Sequence, residues 1–343
     1  MLSGCSGGGQ DAIEGDSSAA TPPAEMAVAD VVVFVDPALE TVIREEIGKR
    51  TGDIFLSDIV NVRWIHGSGE GIGNLEGIQY CTGLERLELD DNEIVDVSAL
   101  AGLTHLEELS LNDNAIIDIS PLADLTNLEN LSLSMNEIVD ISPLSGLANL
   151  TYLHLADNPI VHVSPLATLT QLEWLTLNYN DIVDIGSLSE LPNLWMLQIA
   201  DSETTDIDAI LEFPAIYGLM VSGISQRDFE RIVSTWPDIA MLAVISAHVT
   251  DISPVANLGN LVNLWLDENE IIDLSPLAGL VDLTQLDVSD NDIADISVLL
   301  DLPSLRDVIL LGNSLDLTPG SQDMEIIEEL NQRNVRVVYE EPE

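Results

Sequence analysis

Asn136 to Leu147 reads NEIVDISPLSGL, and nearly the same words stand at Asn92 (NEIVDVSALAGL), Asn114 (NAIIDISPLADL) and Asn269 (NEIIDLSPLAGL). Aligned on that phrase, the chain repeats every 22 residues in the form L-x-x-L-x-L-x-x-N-x-I-x-D-I-S-P-L-x-x-L-x-x. Units begin at Leu84, Leu106, Leu128, Leu150, Leu172, Leu194, Ile216, Ile239, Leu261, Leu283 and Leu305, after a degenerate unit, VRWIHGSGEGIGNLEGIQYCTG. Such a period overrides the prior that 343 residues make two or three ordinary domains. The L-x-x-L-x-L part alternates as a strand. Parallel pairing of successive strands needs a crossover, and only the rest of the repeat is available for it, so the chain coils into a solenoid. Eleven strands at about 4.8 Å predict a sheet roughly 50 Å long.

The other words of the phrase have mechanical readings. Asn92, Asn114, Asn136, Asn158 and Asn180 are expected to point inward and bond backbone groups of the turn. Ser120, Ser142, Ser164, Ser253 and Ser275 are expected as helix N-caps, with proline at the first helical position and a single 3₁₀ turn after it. The Asp column (Asp96, Asp118, Asp140, Asp184, Asp206, Asp251, Asp273, Asp295) places carboxylates about 5 Å apart along one edge. Calcium takes six to eight oxygens, but no loop has D-x-D-x-D-G form, and each Asp is suited to bonding turn amides. No metal site is assigned. His162 interrupts this column and faces Asp140 or Asp184 as partners. Cys81 aligns with Leu103, Leu125 and Leu147, so a buried core thiol is expected.

Hydrophobic residues form 46% of the chain and aromatics only 4%, so the core is aliphatic. Sixty acidic residues against ten basic ones give a net charge of −50. That surface excludes nucleic acid, whose phosphates need cationic partners, and charge-driven binding to anionic lipid. Self-repulsion on this scale is relieved by salt, because the Debye length falls to about 3 Å at 1 M. No run of eighteen apolar residues offers a membrane span.

The repeat resembles that of bacterial internalin-like proteins of the leucine-rich repeat class, over roughly 62–313. The resemblance implies an α/β leucine-rich repeat solenoid, with a curved parallel β-sheet on the concave face and short 3₁₀ or α segments on the convex face. A helical N-terminal cap and a helix-strand C-terminal cap close it. The segment VVVFVDPALETVIREEIGKRTGDIFLSDI echoes the family's N-terminal cap: Asp36-Pro37 starts a helix whose apolar stripe is Leu39, Val42, Ile43 and Ile47. A closing helix with Met324, Ile327 and Leu330 inward and a strand at Val335–Val338 end the chain, covering an edge that would otherwise aggregate. The expected divisions are 1–29, a lipobox-like start and tether; 30–61, the N-terminal cap; 62–313, the solenoid; and 314–343, the C-terminal cap. Within the solenoid, 194–260 is irregular. Its unit from Ile216 has 23 residues and carries Phe229, Ile232, Val233 and Trp236 at helical spacing.

Leu2-Ser3-Gly4-Cys5 resembles a bacterial lipobox, which marks Cys5 as the expected lipidation site. The following residues, rich in Gly, Ser, Pro and acid, read as a tether spanning about 25–30 Å. The upstream charged and apolar segments of a signal are missing, so a plain tail is the alternative.

The family resemblance implies that ligands meet the concave face. Its outward columns are polar at both ends (Arg86, Glu88, Asp90; Gln285, Asp287, Ser289). In the middle they hold Tyr152, His154, Trp174, Tyr179, Met196, Met220, Met241 and Trp265. Exposed aromatics are frequent interface anchors, and methionines adapt to irregular partners. No G-x-S-x-G, H-E-x-x-H, Cys-His pairing or phosphate loop is present, so no catalytic residue and no cofactor is assigned. His66, His105, His154, His162 and His248 do not repeat at metal-ligand spacing. These features point to a monomeric, non-catalytic, lipid-anchored protein of the bacterial cell surface that recognises a protein partner on its concave face. An intracellular scaffold resembling phosphatase-docking repeat subunits and a glycan-binding surface protein are the alternatives.

Overall fold

A computed structural model describes residues 30–201 and 206–340. The tether, Cys5 and Ser202 lie outside the described residues. The chain opens with strand β1 (Val31–Val32), helix α1 (Pro37–Glu46), strand β2 (Ile54–Phe55) and helix α2 (Leu56–Ile59), with β1 and β2 antiparallel. Asp36 caps α1 through its carboxylate, which accepts the Ala38 N–H at 2.8 Å, and the proline at the first turn has no N–H to orphan. The same carboxylate accepts the N–H groups of Gly73 at 2.8 Å and Asn74 at 3.1 Å, fastening the cap to the first coil.

Thirteen parallel strands follow in strict sequence order. They are β3 (Trp64–His66), β4 (Arg86–Glu88), β5 (Glu108–Ser110), β6 (Asn130–Ser132), β7 (Tyr152–His154), β8 (Trp174–Thr176), β9 (Met196–Gln198), β10 (Gly218–Ser222), β11 (Met241–Ile245), β12 (Asn263–Trp265), β13 (Gln285–Asp287), β14 (Asp307–Ile309) and β15 (Arg336–Val338). The sheet exceeds the eleven expected strands because the degenerate first unit supplies β3 and the C-terminal cap supplies β15. Register advances by one repeat per strand, as in Leu131↔Leu153↔Leu175. The inward leucines, isoleucines and valines form one continuous aliphatic core, and Cys81 lies fully inside it.

The phrase residues are bonded into this frame. Asn136 Nδ2 donates to the carbonyls of Leu133 and Ser134 in its own coil and to Leu111 in the coil before, at 3.0–3.1 Å, while its Oδ1 accepts the Ile116 N–H at 3.0 Å. Asn92, Asn114, Asn158 and Asn180 repeat the pattern, as do Asn269, Asn291 and Asn313. Each amide therefore fastens its coil to the preceding one. The serines are not the caps. The Asp one position before the cap accepts the serine's own N–H, at 2.8 Å for Asp96, Asp118, Asp140, Asp251 and Asp273. The carboxylate wins because it is the stronger acceptor and its two-residue loop closes without strain. His162 meets Asp184 through a backbone bridge.

The asparagine is absent at Ile224 and Ala247. There β10 and β11 lengthen to five residues each and pair along their full length, from Gly218↔Met241 to Ser222↔Ile245. Helix α3 (Ile207–Ile210) and helix α4 (Gln226–Thr235) replace the 3₁₀ turns, with Ser225 capping α4 and Phe229, Ile232 and Val233 buried. Helix α5 (Gln322–Gln332), capped by Ser321, covers the far end, and β15 pairs with β14.

Candidate recognition face

Repeat geometry brings one outward residue of each strand into line with the next, so neighbouring coils present side chains about 4.8 Å apart. Tyr152 pairs with Trp174, and Trp174 with Met196, across β7, β8 and β9. Trp174 is the centre of a ring cluster. Its ring centroid lies 6.3 Å from Tyr152, 6.1 Å from His154 in a stacked arrangement, and 5.6 Å from Trp195 in an edge-to-face one. The indole N–H of Trp174 donates to Thr176 Oγ1 at 3.0 Å, which fixes the plate in place. Burial holds the His154 imidazole below the ordinary histidine range, leaving the ring neutral at neutral pH.

Trp195 carries no outward-column signal, because it stands one residue before Met196, where the other units have Glu85, Glu107, Glu129 and Glu173. Only the replacement of a repeated glutamate by tryptophan marks it. Tyr217, half exposed, takes the same place in the next unit.

Met196 departs from expectation: it is only 4% exposed. Gly218 on β10 has no side chain, and a Cβ there would collide with the Met196 thioether, so the methionine lies in the hollow and cannot act as an exposed contact. Met220 and Met241 are partly exposed on β10 and β11. Tyr179 stands on the rim rather than the sheet. It is 60% exposed and holds a left-handed backbone (φ 56°) at the position occupied by Asp91, Asp113 and Asp157. The Asp201 charge, with Asp267 and Glu268 behind it, pushes its phenol above the usual tyrosine value. Trp265 is separate from the cluster: four strand steps, or about 19 Å, separate β8 from β12. It lines a shallow groove with Asp287, Ile309 and Arg336.

Carboxylates surround the rings. Burial first, and the Asp287 charge second, push the Asp267 carboxyl above its ordinary range. No Lys or Arg stands between Arg86 and Arg227. Among the described residues no group of three or more His, Cys, Asp and Glu is placed to hold a metal ion, and no helix is long and apolar enough to cross a membrane. The thiol of Cys81 is pushed up to about 12 by burial.

A solenoid of one strand per repeat, with its side-chain array on one face, defines a leucine-rich repeat protein. The family description Leucine Rich repeats (2 copies) matches residues 82–124 and 126–168, and Leucine Rich repeat matches 281–299. An internalin (inlF) from Listeria monocytogenes is 29% identical, with 90% of this chain and 92% of that one aligned at a TM-score of 0.69. A leucine-rich repeat protein from Leptospira interrogans shares the fold at 20% identity and a TM-score of 0.54, over 76% of this chain and 74% of that one. No curated protein matches the chain in sequence. More particularly, the chain is an internalin-like leucine-rich repeat protein.

Proposed function

We propose that the chain is a non-catalytic binding protein of the bacterial cell surface, tethered by a lipid on Cys5, which recognises another protein through its concave face. The observation that carries this reading is the Tyr152–His154–Trp174–Trp195 cluster. Four rings gathered from three adjacent coils, and held by a rigid sheet, supply apolar area with little ordering cost on binding. Tyr179 extends the surface at the rim, Met220 and Met241 continue it, and Trp265 offers a second anchor. The likeness to an internalin supports a surface role. Pull-down with wild type and with a Trp174→Ala/Trp195→Ala variant tests the face, and equal recovery of a partner by both refutes it. Loss of binding to a glycan array on the same substitutions, with no protein recovered, transfers the face to a carbohydrate ligand. Mass spectrometry of the native N-terminus tests the tether: an unmodified Cys5 removes it.

A further inference from the structure

A second surface runs along the side of the solenoid, away from the concave face. Val95, Ile117, Val139, Val161 and Val183 occupy one column of five successive repeats, each following a buried isoleucine. Val95, Ile117, Val139 and Val183 are 51–55% exposed. Apart from Met135, Tyr152 and Tyr179 at the concave face and rim, every strongly exposed large apolar residue between Leu84 and Glu190 lies in this column. The unbroken apolar run is confined to these five coils: in later ones Thr250 and Ala294 flank Ile272, which at 65% exposure stands alone in the same column. A continuous exposed apolar stripe of about 19 Å is a recognition feature.

We infer that this stripe docks a basic amphipathic helix of a partner protein. The residue after each stripe member forms a rail of exposed acids, Asp96, Asp118, Asp140 and Asp184, broken only by His162. Backbone N–H bonds hold the Asp96 and Asp140 carboxylates below their ordinary range, which keeps these two charged at neutral pH. With no Lys or Arg between Arg86, on the concave strand of the first of these coils, and Arg227, the complement is a row of apolar side chains flanked by Lys or Arg. A helix fits better than an added strand because the backbone groups just before the stripe residues are already bonded between coils. The Ile94 N–H is taken by Asn114 Oδ1, and its carbonyl accepts the Ala115 N–H. Matching 19 Å takes about 13 helical residues.

The test uses the full chain and a Leu/Lys peptide of about 14 residues, with leucines on one helical face, alongside a scrambled peptide of identical composition and charge. The wild type is expected to bind the amphipathic peptide at least tenfold more tightly than the scramble. A Val95→Thr/Ile117→Thr/Val139→Thr/Val183→Thr variant, with unchanged circular dichroism, is expected to lose that difference, and Trp174→Ala to keep it. Equal affinity for both peptides, or an unchanged preference in the threonine variant, overturns the proposal. So does a wild-type dimer in sedimentation equilibrium that the threonine variant abolishes, which would assign the stripe to a second copy.

Discussion

The Trp195 ring meets the Trp174 ring at 79° with centroids 5.6 Å apart, although the two residues belong to different coils. Edge-to-face pairs of this kind contribute about 0.5–1.5 kcal/mol beyond area burial. A double-mutant cycle of Trp174→Ala and Trp195→Ala, read from denaturant unfolding, is expected to give a coupling in that range. Additive single changes would show that the rings do not stabilise each other.

Tyr179 separates scaffold from recognition. The repeat places aspartate at this left-handed position in Asp91, Asp113 and Asp157, so Tyr179→Asp restores the residue that the backbone accepts. Its stability is expected to stay within about 0.5 kcal/mol of wild type, the usual range for surface changes, while partner binding weakens. A large drop in the unfolding midpoint would show that the tyrosine is structural.

The asparagine spine should be costly to break. Asn136→Ala leaves the Ile116 N–H without its partner in a buried site, while the carbonyls of Leu111, Leu133 and Ser134 keep Asn114, Asn158 and the Asp113 N–H as donors. At about 1–3 kcal/mol for an orphaned buried group, a loss of that size is expected by urea unfolding. Asp140 offers a contrast at the surface. Asp140→Asn keeps an oxygen for the Ser142 N–H and should leave the unfolding midpoint nearly unchanged, whereas Asp140→Ala removes the acceptor and should lower it measurably.

Acid and salt act on the same carboxylates in opposite ways. Asp96, Asp140, Asp251 and Asp295 have folded values depressed chiefly by backbone N–H bonds. Their stabilisation is present above the ordinary carboxylate value of about 4 and is lost as pH falls through the lower folded values. Asp267 has the reverse sign. Its folded value is raised, so it favours the fold below the ordinary value and withdraws that support as pH rises through the folded one. Mutual repulsion among charges summing to −50 is screened by salt. The melting temperature at pH 7 is therefore expected to rise steeply from roughly 0.01 M to 1 M NaCl, and to fall again in strong acid. A salt-independent melting temperature would remove the repulsion argument.

Cys81 supplies a probe of the core. With its thiol pushed up to about 12, it should resist alkylation at pH 8 in a Cys5→Ser chain until the protein is unfolded. Rapid labelling of the native protein would show that the first coils open locally.

The solenoid was legible because each repeat states the same period-2 leucines and the same turn chemistry, so a reading error in one unit is corrected by the next. The asparagine bonding followed from that repetition. The capping assignment did not, because DIS offers two competing oxygens and only geometry shows the carboxylate reaching the N–H. On the concave face, strand alternation located Tyr152, His154 and Trp174. It could not reveal that Gly218 opens a hollow for Met196, which depends on a neighbour 22 residues away. Trp195 was missed because its column elsewhere holds acids, and Trp265 was grouped with Trp174 although alternation gives the face of a residue and not its distance along the stack.

One strand per coil also makes the concave face a ruler. Any two side chains in the same column stand a whole number of strand steps apart, each about 4.8 Å. A duplicated or lost repeat between Trp174 and Trp265 would shift their spacing by one step and leave each local environment intact. The span a partner must bridge is therefore counted in coils.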